Sequence, residues 1–167
     1  HTRAWGPPFE GGESSYFLSV NRNKRSLALN FRDPRGTDIL RRLVARSDIV
    51  IENFVPGTLA RLGFDYADCR AIRADIIYCS ISGFGQVGPD RERAAYDQIA
   101  QGVGGLMSLI GEPGGPPMRI GIAITDIMAG MFAAYAVQAA LFHRQRTGEG
   151  QRVDTSLLEG QLAMLTY

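Results

Sequence analysis

Hydrophobic and polar positions in residues 27–81 follow a strand–helix–strand order. The apolar segment Leu27–Phe31 predicts a strand, and Asp33-Pro34 then suits the N-cap and the first position of a helix. The continuous apolar run Ile49–Ile51 comes next, and such a run is typical of a strand that is covered on both faces. Between these two strands, four apolar residues fall on one helical face: Ile39, Leu40, Leu43 and Val44.

The pattern continues with two short helices, one after Pro56-Gly57 and one over Tyr66–Ile72. A third strand is predicted at Ile76–Ile81, and a glycine-rich loop follows it at 82–90. Ala94–Leu109 then predicts a helix that is weakened by three glycines.

A long helix is predicted from Asp126 to about Arg146. Its apolar stretch Ile127–Phe142 is shorter than a membrane span and is interrupted by Gln138, so we expect a buried core helix and no membrane partner. A strand at Gln151–Thr155 and a further helix follow. The alternation of strands and helices predicts an α/β fold with a largely parallel sheet and flanking helices.

The composition excludes several classes of protein. The chain has 167 residues, 45% of them hydrophobic, with 18 Lys and Arg against 17 Asp and Glu. A net charge of +1 gives no reason to expect nucleic acid as a partner. Cys69 and Cys79 have no metal-binding spacing, so we expect two reduced structural thiols in a cytoplasmic protein and no metal.

Candidate chemistry lies in loops beyond the carboxyl ends of predicted strands, where open parallel sheets bind ligands. Pro56-Gly57 begins a helix whose free N–H groups can hold a phosphate or a carboxylate, with Arg61 one turn further on, although an ordinary tight turn has the same pattern. The basic run Asn21–Arg25 is either a solvated turn or a clamp on a polyanionic cofactor. Asp126, between two apolar segments, is either an N-cap or a poorly hydrated nucleophile.

Four stretches taken together resemble the family III CoA-transferases of the CaiB/BaiF type, which include formyl-CoA transferase, carnitine CoA-transferase and α-methylacyl-CoA racemase. They cover nearly the whole chain in collinear order. The stretches are NRNKRSLALNFRDPRG (21–36), DIVIENFVPGTLARLGF (48–64), IIYCSISGFGQVGPDRERAAYDQIAQGVGGLMSLIGEPGGPP (76–117) and GIAITDIMAGMFAAYAVQAALFHRQRTGEGQRVDTSLLEG (121–160).

The resemblance implies that Asp126 is a catalytic nucleophile, which would carry a mixed anhydride and then a CoA thioester while CoA moves from an acyl-CoA to a carboxylic acid. Acyl-CoA and the acid are then substrates, and no metal takes part. The resemblance also implies that contacts with CoA come from three stretches and one arginine, namely Leu29, Asn30, Phe31 and Arg32; Asn53, Phe54 and Val55; Arg61; and Ala94, Ala95, Tyr96 and Asp97.

Two positions depart from patterns within this family. The related racemases carry a proton-transferring His where this chain has Tyr96, and a tyrosine with a pKa near 10 is a weak base at neutral pH. Some transferases have a Lys where this chain has Ala94. A transferase is therefore favoured over a racemase or epimerase, and a CoA-binding fragment without turnover is the third alternative.

The resemblance also sets expectations for what surrounds this chain. Family members are more than twice as long, so we expect residues 1–167 to be a Rossmann-like part of the large CoA-binding domain, truncated at both ends and without the small domain. Relatives form interlocked dimers, which implies a homodimer.

Overall fold

The computed structural model describes residues 2–166 and forms two compact units, which divide between Asn30 and Phe31. The first unit starts with a 3-10 helix at Thr2–Ala4 and a short antiparallel hairpin of β1 (Phe9–Glu10) and β2 (Glu13–Ser14). Helix α1 (Ser15–Asn21) follows directly, and the buried Ser14 hydroxyl caps it by accepting the Phe17 N–H. The sequence did not predict this hairpin, because its strands are only two residues long.

The predicted strand at Leu27–Phe31 is wrong. Residues 24–30 have no regular secondary structure, and they form no ladder with a neighbouring strand. A strand satisfies its backbone groups only through a partner, so the apolar composition of this segment is insufficient to make it one.

The second unit alternates strands with helices. In chain order its elements are α2 (Pro34–Arg46), β3 (Ile49–Glu52), α3 (Thr58–Arg61), α4 (Tyr66–Ile72), β4 (Ile77–Ser82), α5 (Asp97–Val103), α6 (Ile124–Thr147), β5 (Arg152–Ser156) and α7 (Leu157–Met164). Asp33 accepts the Arg35 N–H at the start of α2, with Pro34 in the first turn, as the sequence predicts. The predicted helix at Ala94–Leu109 is instead divided, because Gly105 takes a left-handed φ of 84° before a 3-10 helix at Leu106–Leu109.

The sheet is parallel, in the order β3-β4-β5, which confirms the predicted α/β class. Ile49 pairs with Ile77, and Tyr78 pairs with Arg152, so all carboxyl ends meet at one edge. The central strand β4 is almost completely buried. Strand β3 lies at one side of the sheet and its Ile51 is 61% exposed, so the prediction that this strand is covered on both faces is wrong for Ile51.

Helices cover the sheet on two sides and form two apolar cores. On one side α2 and α4 pack on β4, where Val44 and Leu40 contribute while Leu43 stays exposed. On the other side α6 packs on the opposite face of β4, through Ala133, Val137 and Ala140. The two cysteines lie in different cores and are both free and buried, which raises the pKa of each thiol to about 11.

Helix α6 is longer and less buried than the sequence predicts. By length and composition alone its 24 residues are enough to cross a membrane, so the expectation of too short a span is wrong. One face carries small residues against the sheet, as in the core helix of a globular domain. The opposite face leaves an apolar stripe exposed, formed by Ile127, Met131, Tyr135 and Phe142.

Arg144 connects the C-terminal end of α6 by hydrogen bonds to the edge of the sheet at which the strands begin. Its Nη1 donates to the carbonyl oxygens of Asp48 (3.2 Å) and Asp75 (3.3 Å), which precede β3 and β4. Its Nη2 donates to Asp48 Oδ1 at 3.1 Å, and Arg73 donates to the same oxygen at 2.9 Å. The Arg144 side chain is only 16% exposed, whereas the Asp48 side chain is 62% exposed, so the bond to the Asp75 carbonyl oxygen is the better shielded from water.

We expect Arg144→Met to lower the free energy of unfolding by about 2 kcal/mol, because two carbonyl groups lose a charged donor. Arg146→Met is the matched control on the same helix, since the Arg146 side chain is exposed, and should change stability by no more than about 0.5 kcal/mol. Urea unfolding of the full natural chain that carries these residues measures both. Equal losses of stability in Arg144→Met and Arg146→Met would contradict a stabilising role for the contacts with the carbonyl oxygens.

Candidate active site

The loops after β3 and β4 meet at the carboxyl edge of the sheet. Asn53 follows β3 and donates through Nδ2 to the carbonyl oxygen of Ile81 in β4, at 2.8 Å. Gly83 follows β4 and lies so close to Ala95 that an added Cβ would come within 2.0 Å of the Ala95 Cβ. Only a glycine fits at position 83, and this close approach brings the 94–97 segment to the end of the central strand.

The other residues predicted after β3 are presented to solvent. Phe54 and Val55 are both exposed, and the Phe54 N–H donates to the buried Glu52 carboxylate at 2.8 Å. Gly57 precedes the four-residue helix α3 with a left-handed φ of 82°. Arg61 ends that helix, donates to the Thr58 hydroxyl at 3.1 Å and remains exposed.

Tyr96 stands at the start of α5, with its side chain 75% exposed. It borders an open hollow of about 690 Å³ with a largely apolar lining. The other lining residues are Gln98, Ile99, Gly102, Val103 and Met107. Ala94 is exposed and Ala95 is half-buried, so the four predicted residues 94–97 differ widely in exposure.

Asp97 joins α5 to the first turn of α6. Its Oδ1 accepts hydrogen bonds from the backbone N–H and the hydroxyl of Thr125, both at 2.8 Å. Its Oδ2 accepts the Gln101 Nε2 at 2.7 Å. Gln101 also accepts the Ile120 N–H at 2.9 Å and donates to the Ile122 carbonyl oxygen at 3.3 Å. The side chains of Asp97, Gln101 and Thr125, hereafter the Asp97 network, thus hold the segment that leads into α6.

Asp126 follows Thr125 in the first turn of α6. The N-cap is Ala123, which makes no side-chain capping bond, so the interpretation of Asp126 as the N-cap is wrong. Among the residues the structure describes, none donates a hydrogen bond to the Asp126 carboxylate. Its pKa is raised from the ordinary value, first by partial desolvation and then by the negative charge of Asp97. Asp126 is nevertheless an exposed residue, so the expectation of a poorly hydrated carboxylate is met only in part.

The predicted residues 29–32 span the division between the two units. Leu29 and Asn30 end the first unit, whereas Phe31 and Arg32 begin the second. Within the first unit, cationic side chains from two segments line a hollow of about 760 Å³, with Phe17 and Leu18 on its apolar side. The cationic residues are Arg3, Arg22, Lys24 and Arg25.

Known proteins resemble this chain both in sequence and in fold. Residues 1–167 match CoA-transferase family III. The chain is 52% identical over 165 residues to succinyl-CoA:glutarate CoA-transferase of Mus musculus, and 48% identical over 170 residues to succinate–glutarate CoA-transferase of Agrobacterium fabrum. A crystal structure of a CAIB/BAIF family protein from Brucella suis matches with a TM-score of 0.93 and 47% identity.

The chain belongs to CoA-transferase family III. The three matches cover 99%, 98% and 99% of the chain but only 38%, 42% and 45% of those proteins, respectively. The family III chain described here therefore spans about two fifths of the length of its curated relatives. Within residues 2–166, no group of three or more His, Cys, Asp or Glu side chains is placed to hold a metal ion.

Two members of the Asp97 network were missed by sequence reasoning. Gln101 is completely buried and Thr125 is 1% exposed, and both bond to the Asp97 carboxylate. A signal for Gln101 was present, because it follows Asp97 by four residues and therefore shares its helical face. Thr125 has no comparable signal, because its partner lies 28 residues away in the sequence.

Neutralisation of Asp126 and neutralisation of Asp97 should have opposite effects on the stability of the fold. In the folded protein a raised pKa makes ionisation of Asp126 less favourable than in the unfolded chain, so at neutral pH its charge does not stabilise the fold. We expect Asp126→Asn to leave the melting temperature at pH 7 unchanged or higher. As the pH falls through the pKa of Asp126, the wild-type protein is protonated and the difference disappears.

Asp97→Asn is the matched comparison, since it changes the same carboxylate to the same amide. We expect it to lower the free energy of unfolding by about 1–2 kcal/mol, because the start of α6 loses an ionised acceptor. Thermal unfolding of the full natural chain measures both variants. A larger loss for Asp126→Asn than for Asp97→Asn would contradict this division between an unpartnered and a structural carboxylate.

Proposed function

We propose that this chain carries the nucleophile of a CoA-transferase, which moves CoA between an acyl-CoA and a carboxylic acid through covalent intermediates on Asp126. The observation that carries the proposal is the Asp126 carboxylate, which stands in the first turn of α6 without a hydrogen-bond partner among residues 2–166. An unengaged carboxylate at this position suits a nucleophile better than a structural acid.

The reaction has four balanced steps. An Asp126 oxygen attacks the thioester carbonyl carbon of the donor, and the C–S bond breaks to give a mixed anhydride and CoA thiolate. The thiolate then attacks Cγ of Asp126, which releases the donor acid as a carboxylate and leaves an aspartyl-CoA thioester. The acceptor carboxylate attacks this thioester to form a second anhydride and free thiolate. Attack by the thiolate on the new acyl carbon yields the product acyl-CoA and restores Asp126.

Partial desolvation of Asp126 fits this sequence of steps. The pKa of Asp126 is raised mainly by desolvation, so the ionised carboxylate is less well hydrated than one in water. A less hydrated anion is a stronger nucleophile. The helix N-terminus also favours the negative charge of the ionised carboxylate.

We also propose that CoA lies along the carboxyl edge of the sheet. The exposed Phe54, Val55 and Arg61 can contact it after β3, and Tyr96 offers an apolar wall near Asp126. Taken by itself, the hollow with four cationic side chains in the first unit suits a phosphate group and favours the clamp over a merely solvated turn. Direct CoA contacts from Leu29 to Arg32, from Asn53 and from Ala94 and Ala95 remain predictions. The predicted contact from Asp97 is less favoured, because both of its carboxylate oxygens already accept hydrogen bonds from Thr125 and Gln101.

The proposed acids are dicarboxylic. Both curated relatives compared above are named for transfers between succinate and glutarate, and they share about half of their aligned residues with this chain. A homodimer is proposed as well. It is supported by the apolar stripe of α6, because an exposed stripe of four large apolar side chains is typical of an interface.

We expect succinyl-CoA to leave a hydroxylamine-sensitive adduct on the full natural chain, with a mass that corresponds to a succinyl group or to CoA. Anhydrides and thioesters are both cleaved by hydroxylamine, whereas ordinary amides are not. Intact-protein mass spectrometry after acid quenching measures the adduct. It should be absent from Asp126→Asn, because an amide cannot form either intermediate.

Asp90→Asn is the control, since this exposed carboxylate pairs with Arg93 at the surface, and it should form the adduct normally. Loss of the adduct in Asp126→Asn alone supports the transferase. If the wild-type protein forms no adduct but exchanges the α-proton of a branched acyl-CoA with D₂O, the transferase is wrong and a racemase or epimerase replaces it. Binding of CoA with neither reaction would leave a CoA-binding protein without turnover.

A further inference from the structure

The beginning of α6 depends on a residue outside the helix. The first N–H groups of any helix lack partners within it, and the N-cap Ala123 has no side-chain acceptor. The Asp97 carboxylate supplies the missing acceptor from the start of α5, through the Thr125 N–H. A charged acceptor at a helix N-terminus makes a stronger hydrogen bond than a neutral one and is also favoured by the helix dipole.

The Asp97 carboxylate is itself held in one orientation. Gln101 donates to the oxygen that does not contact Thr125, while its own carbonyl oxygen accepts the Ile120 N–H. Both Gln101 and Thr125 are almost fully buried, so neither side chain is free to turn toward water. The network therefore fixes the Thr125 backbone, and the Asp126 backbone is joined to it directly.

We propose that Asp97 is a positioning residue for the Asp126 nucleophile, which it aims through Thr125, while Gln101 fixes the orientation of the Asp97 carboxylate. The inference rests on the proposed function, because positioning matters only if Asp126 attacks an acyl-CoA. An attacking oxygen must lie within about 3–3.5 Å of the acyl carbon at a suitable angle, and a displacement of about 1 Å can cost a hundredfold in rate.

The donors in the network define what position 97 must provide. Thr125 presents two donors to Oδ1 and Gln101 presents one to Oδ2, so both oxygens of Asp97 act as acceptors. An asparagine at position 97 would place its amide group against one of these donors. If Gln101 turned to accept from that amide, its own Nε2 would face the Ile120 N–H. The single substitution Asp97→Asn therefore leaves two N–H or O–H donors facing each other, whichever way the side chains at positions 97 and 101 are turned.

A second substitution can relieve this conflict. In Asp97→Asn/Gln101→Glu the glutamate can accept from the asparagine amide and from the Ile120 N–H, although the bond to the Ile122 carbonyl oxygen is lost. The double variant thus moves the negative charge one helical turn along α5 and restores complementary donors and acceptors. If Asp97 acts by positioning, the double variant should recover the rate of adduct formation. If the Asp97 carboxylate instead contacts CoA, the rate should not recover.

The test compares the single-turnover rate of the Asp126 adduct with the affinity for CoA, in the full natural chain. Succinyl-CoA is the probe for the rate, and calorimetry with CoA gives the affinity. We expect Asp97→Asn to slow adduct formation by about 10- to 100-fold while the dissociation constant for CoA changes by less than about threefold. The double variant should regain at least about tenfold of the lost rate. Asp38→Asn, an exposed carboxylate on α2, is the control and should match the wild-type protein.

The outcomes separate this inference from the proposed function. No adduct on the wild-type protein would overturn the proposed function itself. An adduct that forms at the normal rate in folded Asp97→Asn would overturn positioning, and weakened CoA affinity without a slower adduct step would identify a cofactor contact instead. If Asp97→Asn does not fold, Thr125→Val and Gln101→Met each remove one arm of the network; unchanged rates in both would overturn the inference, and slower rates with unchanged CoA affinity would support it.

Discussion

The burial of strand β4 is the constraint on which the second unit depends. The strand pairs in parallel with β3 and β5, so its backbone groups are satisfied on both sides, and its two faces receive different cores. Because all three strands run in one direction, their carboxyl ends lie at a common edge. The loops that carry the candidate site residues after β3 and β4 therefore lie side by side at that edge, where Gly83 also approaches Ala95 closely.

The arrangement around Asp126 has a different origin from the sheet. Local sequence makes α6 helical, but its first turn is completed by Asp97, which belongs to another helix and lies 28 residues before Thr125. The sheet carries the 94–97 segment into place through the contact at Gly83, and the Asp97 network transmits that position to Asp126. The position of Asp126 is therefore a tertiary property, whereas the existence of its helix is a local one.

The same distinction explains what the sequence could predict. The helix start at Asp33-Pro34, the strand at Ile49–Ile51 (observed at Ile49–Glu52) and the helix Tyr66–Ile72 are predicted because their signals lie within a few neighbouring residues. Leu27–Phe31 was wrong because a strand requires a partner that periodicity does not reveal. Ile51 was wrongly expected to be covered, since an apolar run does not indicate whether its strand is central or at the side of the sheet.

Candidate chemistry was predicted for similar reasons. The position of Asp126 between apolar segments and the family resemblance both identify it as a candidate. The interpretation of Asp126 as the N-cap is wrong, because the Asp97 carboxylate accepts the Thr125 N–H at the start of α6. Gln101 was read as one more residue of a weak helix, although it is completely buried and bonds to three other residues. The i, i+4 spacing from Asp97 is a local signal for Gln101, whereas Thr125 gives no local pattern, because its partner lies 28 residues earlier.

Capping of α6 by a distant carboxylate has a consequence for how this chain can evolve. We expect positions 97, 101 and 125 to change together. A change at position 97 alone leaves the donors of Gln101 and Thr125 without a matching acceptor. Neutral drift at any one of them is restricted, while paired exchanges that preserve donor and acceptor remain accessible. We therefore expect substitutions at these three positions to be coupled to one another in related chains.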